Sequence, residues 1–123
     1  MSAGGAIEQG RSFVSKLFAA IDQQLWDELP LYFAAECCYE RPGYPPIHGI
    51  AAILEFYREV RIVASGRHTI EGIVASDNTV VCWGGFCGVS RVGDALSERF
   101  ADIYWLADAR IVHRRSFFFR PAM

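Results

Sequence analysis

The 123-residue sequence has no stretch approaching the ~20 consecutive apolar residues that a membrane span needs. Its first ten residues, Met1 to Gly10, lack the basic start and apolar core of a secretory signal, so a cytoplasmic location is expected, with no membrane partner. Charge of one sign is scarce too. The formal net charge is −2 and the basic residues form no continuous stripe before the last strand, which argues against nucleic acid as a partner. Cysteine occurs at Cys37, Cys38, Cys82 and Cys87, and neither the adjacent pair nor the later offset matches a zinc or redox spacing. The four read as reduced, small core residues. No cluster of His, Cys and carboxylates has ligand spacing, so neither a metal nor a cofactor is expected. Gly84, Gly85 and Gly88 form no phosphate-binding loop and fit strand curvature instead. Repeats, linkers and low-complexity segments are absent. One domain over residues 1–123 is therefore expected, with residues 1–8 disordered.

What the sequence has in quantity is apolar surface. Hydrophobic residues make up 52% and aromatics 14%, too much for a disordered chain and enough to line a cavity as well as a core. A chain of this length buries about two-thirds of its unfolded surface. Phe13, Leu17 and Ile21 recur every four residues with Val14 and Phe18 beside them, which predicts an amphipathic helix over residues 9–24. Asp27 caps a short second helix that carries Leu29 and Phe33 inward, with Pro30 tolerated in its first turn. After a brief extended segment from Cys37 to Arg41, the Pro42, Gly43, Pro45, Pro46 cluster enforces a loop. Ile50, Ile53, Tyr57 and Val60 then mark a third helix, ending near Gly66.

From Arg67 the pattern changes to β-type runs over residues 67–75, 78–91, 95–106 and 110–119, separated by turn residues too few for a parallel crossover. The expectation is an α+β domain, three N-terminal helices packed on an antiparallel meander.

The order of these elements and several local strings resemble the SnoaL-like and ketosteroid-isomerase-like family of the nuclear-transport-factor-2-like superfamily. The strings are Leu17-Phe-Ala-Ala-Ile-Asp with Trp26-Asp27, Tyr39-Glu-Arg-Pro-Gly, Gly49 with Ala52-Ile-Leu-Glu-Phe-Tyr57, Phe100-Ala-Asp102 and Arg110-Ile-Val. The resemblance covers residues 12–119. It implies a strongly curved sheet wrapped by helices into a cone with a deep apolar pocket, and a homodimer formed through the outer sheet face. Activities in the family run from isomerases and cyclases to hydrolases and non-catalytic binders.

Asp102 stands where ketosteroid isomerases keep a protonated acid that donates to the substrate oxyanion. An aspartate in a strand interior otherwise costs stability unless it is partnered, and Arg114 is the cation at hand. The likeness to the isomerases stops at two places: Leu17 occupies the position of their tyrosine donor and Arg41 that of their proton-shuttling aspartate. A steroid isomerase of that mechanism is not expected. Glu40 and His113 read as outward-facing. His68, which shares a strand face with Ile70, gains a titratable group where the family is apolar and suits general acid–base work. Alternation in the last strand sets Arg114, Ser116 and Phe118 on one face, toward the pocket by alignment. Phe56, Tyr57, Trp83, Phe100 and Tyr104 complete an aromatic cavity.

The expected function is isomerisation or cyclisation of a small apolar carbonyl compound, polyketide or terpenoid-like, by cofactor-free proton transfer. His68 moves the proton, Asp102 or Arg114 stabilises the enolate oxygen, and Arg41 orients the substrate at the mouth. Two alternatives stand beside it. One is a non-catalytic ligand-binding or dimerisation module whose polar residues form a satisfied network. The other is an epoxide hydrolase or epoxide-opening cyclase.

Overall fold

Val14, Leu17, Phe18 and Ile21 fall on one face of the first helix, α1 (Ala3–Asp22), and all four are buried. The computed structural model describes residues 3–119. Helix α1 begins well before residue 9, so residues 3–8, expected to be disordered, extend it, while residues 1 and 2 lie outside the described residues. Gly10 lets α1 lie close against the sheet, since a Cβ there would meet Ala75 and Val80 side chains at 3.3 Å.

The expected second helix is a six-residue 3₁₀ turn, Trp26–Leu31, that buries Leu29 and has no side-chain cap. With Pro30 inside it, no longer helix can propagate. Asp27 pairs with Arg58 instead of capping, and Phe33 is not helical: it is the buried first residue of strand β1 (Phe33–Glu40). Strand β2 (Ile47–His48) pairs with β1.

The third helical segment therefore follows two strands and is not part of an N-terminal trio. Helix α2 (Ile50–Glu55) runs into a π-helical turn, Phe56–Val60, and stops there, short of Gly66. The wider turn buries Phe56 and Tyr57 side by side. Such π turns are frequent at functional sites.

Strands β3 (Val63–Ser76), β4 (Thr79–Ser90), β5 (Ala95–Ala107) and β6 (Arg110–Phe118) form the expected antiparallel meander. The whole sheet has the order β2-β1-β6-β5-β4-β3 and is mixed, because β1 lies parallel to β6. The long excursion between β1 and β6 supplies the connection that a parallel pair requires. All four cysteines are free; Cys37 and Cys82 are core residues, whereas Cys87 is exposed rather than buried. Among the described residues no helix is long and apolar enough to cross a membrane.

Candidate functional site

Register alone sets the site's inner wall. Cys82 lies opposite Asp102, and Asp102 opposite Ser116. One row along, Tyr104 faces Arg114, which faces Tyr39. Since alternate residues share a sheet face, these side chains gather on the side covered by α1 and the π turn. There Tyr39, Asp102, Arg114 and Ser116 border a cavity of about 280 Å³.

Asp102 and Arg114 are 1% and 4% exposed. The Arg114 guanidinium donates to Asp102 Oδ2 at 2.9 Å, the Tyr104 hydroxyl donates to the same oxygen at 2.7 Å, and the Ser116 hydroxyl donates to Oδ1 at 2.6 Å. With three donors on two oxygens, Asp102 acts as an acceptor bound to a guanidinium, the structural pair that the sequence set against the acid-donor reading. Desolvation pulls the Arg114 pKa down, but the charge of Asp102 and the adjoining phenols outweigh it and hold it well above the usual arginine range.

The hydroxyl protons can be followed outward from this pair. Ser116 gives its proton to Asp102, so Tyr39, 2.9 Å from Ser116 Oγ, must give its own to Ser116. Burial pushes the Tyr39 phenol up to about 12, against a smaller downward pull from Arg114. Tyr57 differs. It accepts from Arg114 Nη1 at 2.8 Å, and its own proton is free for something in the cavity, where a donor already accepting a charged bond is strengthened.

His68 borders the same cavity. Its Nδ1 lies 2.6 Å from Asp22 Oδ1 while its backbone N–H donates to Oδ2 at 2.8 Å. The carboxylate at the end of α1 thereby clamps the imidazole, and because it can only accept, the hydrogen is assigned to Nδ1. The ring is stacked on Phe18, with centroids 4.2 Å apart, and flanked by Phe86 and Phe100. Nε2 is left as the basic nitrogen.

Of the residues singled out in the sequence, Arg41, Phe56, Tyr57, His68, Phe100, Asp102, Arg114, Ser116 and Phe118 all border the cavity. Tyr104 is fully buried behind Asp102 and does not reach it. Trp83 is a correction. It is 41% exposed on the outer face, because Val80, Cys82, Gly84 and Phe86 share the face of β4 that turns inward. Glu40 faces outward, held by His113 and Arg115, as expected for both Glu40 and His113.

The sequence reading missed Asp22, Tyr39, Arg61 and Phe86. An arginine at 61 inside the otherwise apolar run Val60-Arg-Ile-Val63 is the signal that could have found one of them. No group of three His, Cys, Asp or Glu side chains is placed to hold a metal among the described residues.

A family model described as a SnoaL-like domain matches residues 14–114. No curated protein matches the chain. Among solved structures, an NTF2-like protein of unknown function from Exiguobacterium sp. 255-15 shares 26% identity over 86% of this chain and 97% of its own, with a TM-score of 0.74. An LEH-like epoxide hydrolase from M. tuberculosis shares 16% over 91% and 84%, with a TM-score of 0.78. A candidate SnoaL-like polyketide cyclase from Jannaschia sp. CCS1 shares 15% over 93% and 88%, with a TM-score of 0.77. The last two likenesses establish the α+β NTF2-like fold and nothing finer.

Proposed function

The chain belongs to the SnoaL-like domain family, and from that premise we propose that it isomerises or cyclises a small apolar carbonyl compound by proton transfer, with His68 as the base. The observation that carries this reading is the Asp22-clamped imidazole bordering the cavity, with Tyr57 on the same lining.

His68 Nε2 removes a proton from the carbon next to the substrate carbonyl, and Asp22 stabilises the imidazolium that forms. Negative charge moves to the carbonyl oxygen, where the Tyr57 hydroxyl, polarised by Arg114, donates to it. The imidazolium then returns the proton to a different carbon, which completes an isomerisation. Alternatively the enolate carbon bonds to a second carbonyl carbon and the new alkoxide takes the proton, which closes a ring. Asp102 touches no substrate in this scheme. It neutralises and fixes Arg114, and so acts as a positioning residue.

The test is deuterium exchange into the α-carbon of β-tetralone, followed by NMR. The parent protein is expected to exchange it above the buffer rate, His68→Gln to lose about 10²–10⁴-fold, and Asp22→Asn to lose about 10²-fold or more through the wrong tautomer. Exchange at the buffer rate, or a His68→Gln variant as fast as the parent, would leave the non-catalytic binding module as the reading to adopt.

A further inference from the structure

The arginines among the described residues differ in what their guanidinium groups meet. Arg58, Arg99, Arg114 and Arg115 are paired with carboxylates. Arg91 is satisfied by the carbonyl oxygens of Arg58 and Arg61 at the end of the π turn, and Arg11, Arg67 and Arg110 are exposed to solvent. Arg41 and Arg61 fit none of these. Both are partly buried, both border the cavity, and neither guanidinium has a hydrogen bond or ion pair with a described residue.

Each guanidinium lies against aromatic faces. Arg41 lies 4.1 Å from the Phe56 ring and 4.4 Å from Tyr44, and Arg61 lies 5.0 Å from Trp26 and 5.3 Å from Tyr57. Only the Nε of each is buried without an acceptor, so the terminal NH₂ groups remain reachable. Their neighbours Tyr44, Val60 and Ile62 are exposed, which places the two cations at the rim.

A guanidinium removed from water and given no counter-ion costs stability. Burial accordingly lowers the Arg61 pKa, with smaller opposing pulls from Tyr57, Asp22 and Tyr39. The rest of the lining offers little to offset this charge. Asp102 is already bound to Arg114, and among the described residues of the lining Glu98 is the one further carboxylate, against three arginines.

We infer that the natural ligand is an amphiphilic carboxylic acid whose apolar body fills the cavity and whose carboxylate is held by Arg41 and Arg61 at the rim. The inference rests on the reading of this cavity as the substrate pocket, and it deepens that reading by adding charge to the substrate class. A planar monoanion matches guanidinium edges seated on aromatic rings.

The experiment compares naphthoate with naphthamide, its neutral counterpart of the same shape, by calorimetric titration of the intact protein. Naphthoate is expected to bind at least about tenfold more tightly, with that margin shrinking as salt is added. Arg41→Met and Arg61→Met should each reduce the margin and the double variant should remove it, while naphthamide binding stays at the parental level and so reports an intact pocket. His68→Gln should keep the margin even where proton exchange is lost, which separates this inference from the catalytic one. Equal binding of acid and amide by the parent, binding of neither, or tighter binding of naphthyl phosphate than of naphthoate would overturn it.

Discussion

Asp102 and Arg114 are buried opposite charges whose partners are all accounted for except one: Arg114 Nε has no acceptor. Such a pair is worth little against two apolar residues, yet removal of either member strands the other charge. Asp102→Asn should therefore lower stability by about 3–5 kcal/mol, and Arg114→Met by a similar amount, in denaturant melts. Asp102→Leu combined with Arg114→Met should recover much of the loss. A parental melt for Asp102→Asn would mean that the pair is not formed. Across the sheet, Glu40 is held by His113 and Arg115, and their hydrogen bonds lower its pKa. A carboxyl with a depressed folded pKa stabilises the fold above the ordinary glutamate value and loses that contribution as pH falls through the folded value. Melts across an acid pH series should accordingly show the parent more stable than Glu40→Gln near neutrality, with the gap closing as pH drops below the ordinary glutamate range. A gap independent of pH would remove the carboxylate as its source.

At the scale of elements, β3 and β4 pack so tightly that Gly84 has no room for a side chain. A Cβ built there lies 1.8 Å from the Thr69 carbonyl oxygen, a backbone atom next to the β3 bulge between Ile70 and Gly72. Gly84→Ala must push the two strands apart and should cost about 3 kcal/mol; a melt within experimental error of the parent would show that the bulge absorbs the methyl group. This bulge also bears on what could be read in advance. The meander was legible because its turns are short and its strands long, and His68 was placed inward by its two-residue spacing from Ile70. Trp83 was not, because both faces of β4 carry apolar residues and alternation alone does not say which one a helix covers. The expected second and third helices are too long, since Pro30, tolerable in a helix's first turn, sits here inside a 3₁₀ turn, and apolar spacing is blind to a π turn that shifts Val60 out to 58% exposure. Asp22 escaped notice because its partner His68 is 46 residues away in sequence. Contacts of that span come from packing α1 on the sheet and leave no local signal.

For the whole molecule the open question is what covers the outer face of the sheet. Register lines up Val74, Val81 and Ile103 in one row and Gly72, Trp83, Ala101 and Phe117 in the next. Val74, Trp83 and Phe117 are 50%, 41% and 47% exposed. Trp105 adjoins these rows, with its ring in contact with His113 and the Arg115 guanidinium. A contiguous apolar patch rimmed by such polar groups is the usual form of an isologous interface, in which the same surface serves both copies. We expect a homodimer through this face, with the two cavities on the far sides of the paired sheets and open independently. Sedimentation equilibrium at micromolar protein should give twice the chain mass. Ile103→Arg places a second cation directly opposite Arg115 in the centre of the patch and should yield a monomer with unchanged far-ultraviolet circular dichroism, so that loss of association is separated from loss of fold. A parent of single-chain mass would refute dimerisation, and an Ile103→Arg variant that remains dimeric would move the interface off this face.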